Sequence, residues 1–101
     1  MIINFHGEAH ADIFKALIRL EQRANGRGLR FRTYCHRWIS MLSTFPQLGG
    51  RVRRSVPGRE VRLLILKKYR YLVHYEVTAQ EIIILSVTDG RRRGHPWRQR
   101  L

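Results

Sequence analysis

Thirteen of the twenty lysines and arginines lie beyond residue 50, in two clusters. Arg51, Arg53, Arg54, Arg59, Arg62, Lys67, Lys68 and Arg70 make the first, and Arg91, Arg92, Arg93, Arg98 and Arg100 the second. Guanidinium groups at this density bind phosphate oxygens or the carboxylates of an acidic protein, because a fork of N–H donors fits both. Trp97 stands among the second cluster, where an indole either stacks on a base or caps a core. The target-contact set read from this pattern is Arg62, Lys67, Lys68, Arg70, Arg91, Arg92, Arg93, Trp97, Arg98 and Arg100.

Other constellations carry less chemistry. His6 and His10 are four apart, beside Glu8 and Asp12, a spacing that places metal ligands on one helix face; the flanking pattern of a zinc enzyme is missing, and no metal is expected. Gly26-Arg27-Gly28 lacks the rest of a nucleotide-binding fingerprint, and no Ser-His-Asp set can be placed together. Cys35 is alone, which excludes an intrachain disulfide and a cysteine zinc site and fits a reducing compartment.

These residues sit on a chain of 101 residues, 44% apolar and 27% charged, with a formal net charge of +13. That is the size of one domain, here residues 1–101, and leaves no room for a catalytic domain beside a binding domain. The apolar residues are too many and too periodic for a disordered basic tail. Met1 to His6 has no basic leader, and no segment approaches the roughly 20 apolar residues of a membrane span, so the expected location is the cytoplasm.

Periodicity supplies the elements. Ile2 to His6 reads as a strand. A helix follows from Gly7 or Glu8, with Ala9, Ile13, Ala16, Leu17, Leu20 and Ala24 on one face. Asn25 to Gly28 stops it, both glycines being free to take positive φ, and a second helix starts near Leu29 with Phe31, Cys35, Trp38, Ile39, Leu42 and Phe45 as its stripe. After Pro46, Gly49-Gly50 and a basic loop, three strands read as Glu60 to Lys68, Tyr69 to Thr78 and Glu81 to Thr88, the last two joined at Ala79-Gln80. The expected fold is α+β, in the order β-α-α-β-β-β, with a helical hairpin on one face of a small twisted, mainly antiparallel sheet. Strict alternation packs Tyr71, Val73, Tyr75, Ile83, Leu85 and Val87 on the helices. It leaves Arg62, Arg70, Leu72, His74, Ile84 and Ser86 on an open docking face.

Several stretches, in this order, resemble one family. They are Phe5-His6-Gly7-Glu8-Ala9, the helix from Phe31 to Phe45-Pro46 with Gly49, Val61-Arg62, and Tyr69-Arg70-Tyr71-Leu72-Val73-His74-Tyr75. Ile84-Leu85-Ser86-Val87, Gly90-Arg91-Arg92-Arg93 and Trp97-Arg98-Gln99-Arg100-Leu101 complete the set. Together the chain resembles the RelE/ParE toxins of type II toxin-antitoxin systems, in the ParE-like plasmid-stabilisation branch. The resemblance implies a growth-arresting toxin neutralised by an acidic cognate antitoxin, which would cover Arg70, Leu72, His74, Ile84 and the helix pair. A homodimer or a toxin-antitoxin hetero-oligomer is the implied assembly, without a cofactor.

The branch is associated with poisoning DNA gyrase, which needs contact surface and charge and no catalytic group. The alternative is RelE-like cleavage of messenger RNA on the ribosome, in which the ribose 2′-hydroxyl attacks the adjacent phosphate without a metal. That route needs proton-transfer groups and cations for the phosphorane; the candidates are His74 and His95 with Arg62, Arg91 and Arg92. A non-toxic nucleic-acid-binding module is a further reading. Gly7 and Arg70 replace prolines common in the branch, a change expected to alter only local stiffness. Asp89 stands where many relatives carry a histidine, which removes one proton shuttle and favours the gyrase reading.

Overall fold

The chain enters its first helix from a short strand, β1 (Ile2–Phe5), through His6, whose Nδ1 accepts from the Glu8 backbone N–H at 3.2 Å and caps α1 (Gly7–Arg23). This computed structural model describes residues 1–53, 56–92, 94 and 96–101. Arg54, Arg93 and His95, all named above, lie outside the described residues.

α1 buries Ala9, Ile13, Ala16 and Leu20 at helical spacing, and α2 (Arg27–Met41) buries Gly28, Phe31, Cys35 and Ile39. The second helix begins two residues earlier than its apolar stripe indicated, because α1 caps it. The Glu21 carboxylate accepts from the N–H groups of Gly26 (2.7 Å) and Gly28 (3.1 Å), which satisfies donors that open any helix. The two glycines have different reasons to be there. Gly26 takes φ +81°, as the turn requires, whereas Gly28 is already helical and lets the helices close: a Cβ on it would lie 2.4 Å from the Leu17 carbonyl oxygen.

Five strands follow one sheet order, β1-β5-β4-β3-β2, with β2 (Gly50–Arg51), β3 (Glu60–Leu66), β4 (Tyr71–Val77) and β5 (Glu81–Asp89). β1 runs parallel to β5 and the other pairs are antiparallel. The two-residue β2 was not expected from composition, since Gly50 and Arg51 carry no β signal of their own. A 3-10 turn, Pro96–Arg100, ends the chain and folds back on the sheet face opposite the helices.

Alternation along β5 breaks once. His74 pairs with Ser86 but Tyr75 pairs with Ile84, so Leu85 is an extra residue, a bulge. Ile82, Ile84 and Val87 therefore join Tyr71, Val73 and Tyr75 in the core under the helices, while Leu85 and Ile83 turn to the other face. Of the three β5 residues expected against the helices only Val87 is there, and Ile84, expected on the open face, is fully buried in the main core. In β3 the same test reverses Arg62. It pairs with Tyr75 and shares the helix side of the sheet with Leu64 and Leu66.

Lys67 to Arg70 form a turn rather than the ends of two strands. Tyr69 anchors it, buried edge-on to Phe31 and Tyr34, and Arg70 adopts φ +58°. A left-handed residue cannot be proline, so the residue at this position sets the turn's geometry, not merely its stiffness. On the opposite edge, the Tyr75 hydroxyl donates to the Pro46 carbonyl (2.7 Å) and accepts from the Gly49 N–H (2.8 Å), tying the exit of α2 to the sheet. A Cβ on Gly49 would come within 2.6 Å of the Leu63 carbonyl oxygen, so this approach needs glycine.

Three variants test these contacts by urea denaturation. Tyr75→Phe leaves two buried backbone groups unpaired and should lower stability by about 1–3 kcal/mol. Arg70→Gly should stabilise by about 1 kcal/mol, and Arg70→Pro should destabilise by more than about 1 kcal/mol.

Candidate functional site

Trp97 decides what the open face can do. It is 1% exposed, packs with Val61 and Leu85 among Val52, Ile83 and Leu101, and stacks on His74 with ring centroids 5.6 Å apart. The indole thus caps a second small core instead of waiting for a base. His74 is 6% exposed and Ser86 fully buried beneath this cover. The face expected to be an open docking surface is covered at its centre, and His74 reaches the surface only where it lines the cleft beside Trp97. Leu72 is half-buried.

Arg100 is what holds the seal. Its guanidinium donates to Asp12 Oδ2 (2.6 Å) and Oδ1 (3.3 Å) and to the Leu85 carbonyl (2.9 Å), and pairs with Glu8 at 3.2 Å. Hydrogen bonding by Asp12 keeps it more firmly protonated than a free arginine. Arg100, expected among the target contacts, is therefore 11% exposed and occupied within the fold. Arg62 is likewise committed: Nε donates to Glu60 (2.6 Å) and Nη1 to the Gly49 carbonyl (2.8 Å), on the helix side of the sheet.

Of the other described cations in the two clusters, Arg59 is bound to Glu76 (2.6 Å) and the rest fall into two groups. At one end of the sheet, Tyr71 pairs with Asp89 and the Gly90 N–H donates to the Arg70 carbonyl at 2.7 Å. This brings the turn carrying exposed Lys67, Lys68 and Arg70 beside exposed Arg91 and Arg92. Lys68 lies 5.7 Å from the ring centroids of both Tyr34 and Tyr69. Over the sheet face, Arg51, Arg53 and Arg98 rim a cleft of about 510 Å³ floored by Leu63 and Ile65, and Arg98 covers the Trp97 ring at 4.7 Å. Arg51 and Arg53 belong to the first arginine cluster but were given no role from sequence; their i, i+2 spacing beside a strand was the available signal.

Asp89 organises the first group. Buried at the end of β5, it accepts from the Arg91 backbone N–H (2.9 Å) and Nε (3.1 Å), and lies 3.4 Å from Arg19. Burial by itself raises its pKa, but the Arg91 side-chain and backbone hydrogen bonds, with the charges of Arg91 and Arg19, outweigh that and hold it below the ordinary 3.8. It serves as a fixed anion that orients Arg91.

Proton-transfer and thiol chemistry find little support beside these cations. Burial raises the Tyr75 phenol and pushes the Cys35 thiol up to about 12. His6 Nδ1 is occupied as a helix cap, and the His10 ring stacks on Phe5 at 4.5 Å. Among the described residues no three His, Cys, Asp or Glu side chains are grouped to hold a metal, and no helix is long and apolar enough to cross a membrane.

A helical hairpin on a mixed five-stranded sheet, with arginines at the sheet end and a C-terminal turn on the far face, defines a small basic α+β protein. The sequence profile of the ParE toxin of type II toxin-antitoxin system, parDE, matches residues 3–94, and the chain belongs to this family. A solved structure titled "Chromosomal ParDE TA system from P. aeruginosa" is similar in fold, with TM-score 0.72 and 22% identity over 88% of this chain and 95% of that one. No curated protein matches by sequence.

Asp89→Asn should lower stability at neutral pH by about 1–2 kcal/mol through the lost charged hydrogen bonds. Because the folded pKa is depressed, this contribution is complete above 3.8 and vanishes as pH falls through the folded value. Denaturation curves of the two proteins should therefore differ by a constant amount above that pH and converge below it.

Proposed function

We propose that this protein is a toxin that arrests growth by binding DNA gyrase, and that it does so by contact rather than by cutting RNA. One observation carries the reading: among the described residues no fully exposed imidazole, thiol or phenol stands beside the sheet cations, His74 being 6% exposed where it lines the cleft of Arg51, Arg53 and Arg98, Tyr71 3% exposed beside Arg92, and Tyr34 half-buried beside Lys68. Cleavage through the 2′-hydroxyl needs such a group next to a cation. Binding needs only the charge, and Arg91 and Arg92, with Lys67, Lys68 and Arg70 alongside, supply it at one end of the sheet.

An acidic antitoxin is the expected restraint. The sealed sheet face moves its docking site from Leu72, His74 and Ile84 to the outer side of the hairpin. There Phe14 and Ile18, one helical turn apart on α1, are 62% and 41% exposed. An amphipathic segment with acidic flanks fits that pair and the surrounding bases.

Induced expression in bacteria, with and without the neighbouring gene, tests both statements. Growth, transcript integrity and plasmid supercoiling are scored for the natural chain, for Arg91→Ala/Arg92→Ala, for Arg92→Ala alone and for His95→Ala. Arrest with intact transcripts and altered plasmid topology, relieved by the neighbouring gene and by loss of the arginines but not of His95, is the expected result. Cut transcripts, with activity lost in His95→Ala, would replace gyrase by messenger RNA as the target.

A further inference from the structure

A cleft of about 370 Å³ opens between α1 and the end of β5, on the helix side of the sheet. Lys15 and Arg19 reach it from α1, one turn apart, and Arg92 reaches it from the residues after β5; Tyr71 and Thr88 also line its wall. Two carboxylates also line it, but both are already engaged. Asp12 is held by Arg100 at 2.6 Å and by the Val87 N–H at 3.0 Å, and Asp89 by the backbone and side chain of Arg91. Among the described residues neither Lys15 nor Arg92 has an ion-pair partner.

Arg19 meets Asp89 at 3.4 Å, and Arg91 holds the same carboxylate at 2.9, 3.1 and 3.4 Å. Arg19 can therefore turn to a ligand while Asp89 keeps its bonds to Arg91. We propose that this cleft binds a phosphate group, with Lys15, Arg19 and Arg92 as its donors. A tetrahedral anion with several acceptor oxygens uses an ammonium and two guanidinium groups from two elements, where a single carboxylate would use one fork. The walls exclude part of the solvent, which strengthens each contact relative to an open surface. The site does not depend on which target the toxin poisons, since its donors act on any phosphate, free or in a nucleic-acid backbone.

The test is an NMR titration of the isotopically labelled full chain with inorganic phosphate at constant ionic strength, and separately with a short DNA duplex. Saturable shifts at the amides of Thr88, Asp89 and Arg92, with the apparent Kd raised at least tenfold in Lys15→Gln/Arg92→Gln, support the site. The charge-matched control Arg30→Gln/Arg37→Gln, on the outer side of α2, should leave that Kd within twofold. Shifts at these amides from both titrants assign the phosphate to a backbone, and shifts from inorganic phosphate alone assign it to a free anion; either supports the site. No saturation, shifts spread evenly over Arg51, Arg53 and Lys68, or equal losses in the two double variants would overturn it. So would the same amides responding to a glutamate-rich peptide and not to phosphate. Growth arrest in cells is read independently, so failure here leaves the gyrase reading standing and the reverse also holds.

Discussion

One ion pair finishes a strand that its neighbour leaves incomplete. β1 pairs with β5 only as far as Ile84, and beyond that point the edge of β5 faces α1. Asp12 accepts the Val87 N–H there, and its partner Arg100 donates to the Leu85 carbonyl. The two side chains thus replace the missing strand across the bulge, at 13% and 11% exposure. A pair this enclosed is strongly coupled, since losing either partner leaves a charge in a setting that water reaches poorly. Through it α1, the bulged strand and the C-terminal turn are fixed together. Trp97 then lies over His74 as a consequence.

That arrangement explains why the site differs from what side-chain types alone suggest. The helices, the hairpin and the helix-facing aromatics of β4 were legible because their spacing is regular and their punctuation, Gly26, Pro46 and Gly49, is strong. The face of Ile84 was not legible: one bulge in the unbroken apolar run from Ile82 to Leu85 flips the register, and no polar residue marks it. Arg62, Trp97 and Arg100 looked like surface cations and a stacking ring by composition. Each is tied by a partner distant in sequence, Gly49, His74 and Asp12, which local patterns do not contain. Arg91 and Arg92, target-contact candidates by sequence, are exposed, but the anion that orients Arg91, Asp89, read as a lost proton shuttle rather than as a support.

Fold and chemistry separate cleanly in this molecule. The ParE family membership and the helix-on-sheet architecture leave the target open, because one scaffold hosts different sites. What narrows the proposal is the distribution of groups on it. His74, Tyr69, Tyr71 and Tyr75 are buried by packing, while arginine and lysine gather at the sheet end and over the Leu63–Ile65 floor. Among the described residues such a surface offers charge and shape with little exposed proton-transfer chemistry beside it, which is the ground for proposing contact rather than cleavage.

The most direct measurement uses purified components: the toxin added to gyrase with relaxed plasmid and ATP, and in parallel to translating ribosomes carrying a defined message. The contact account predicts a dose-dependent loss of supercoiling, or accumulation of cleaved plasmid, with the message intact. Full gyrase activity alongside a message cut at discrete positions would contradict it.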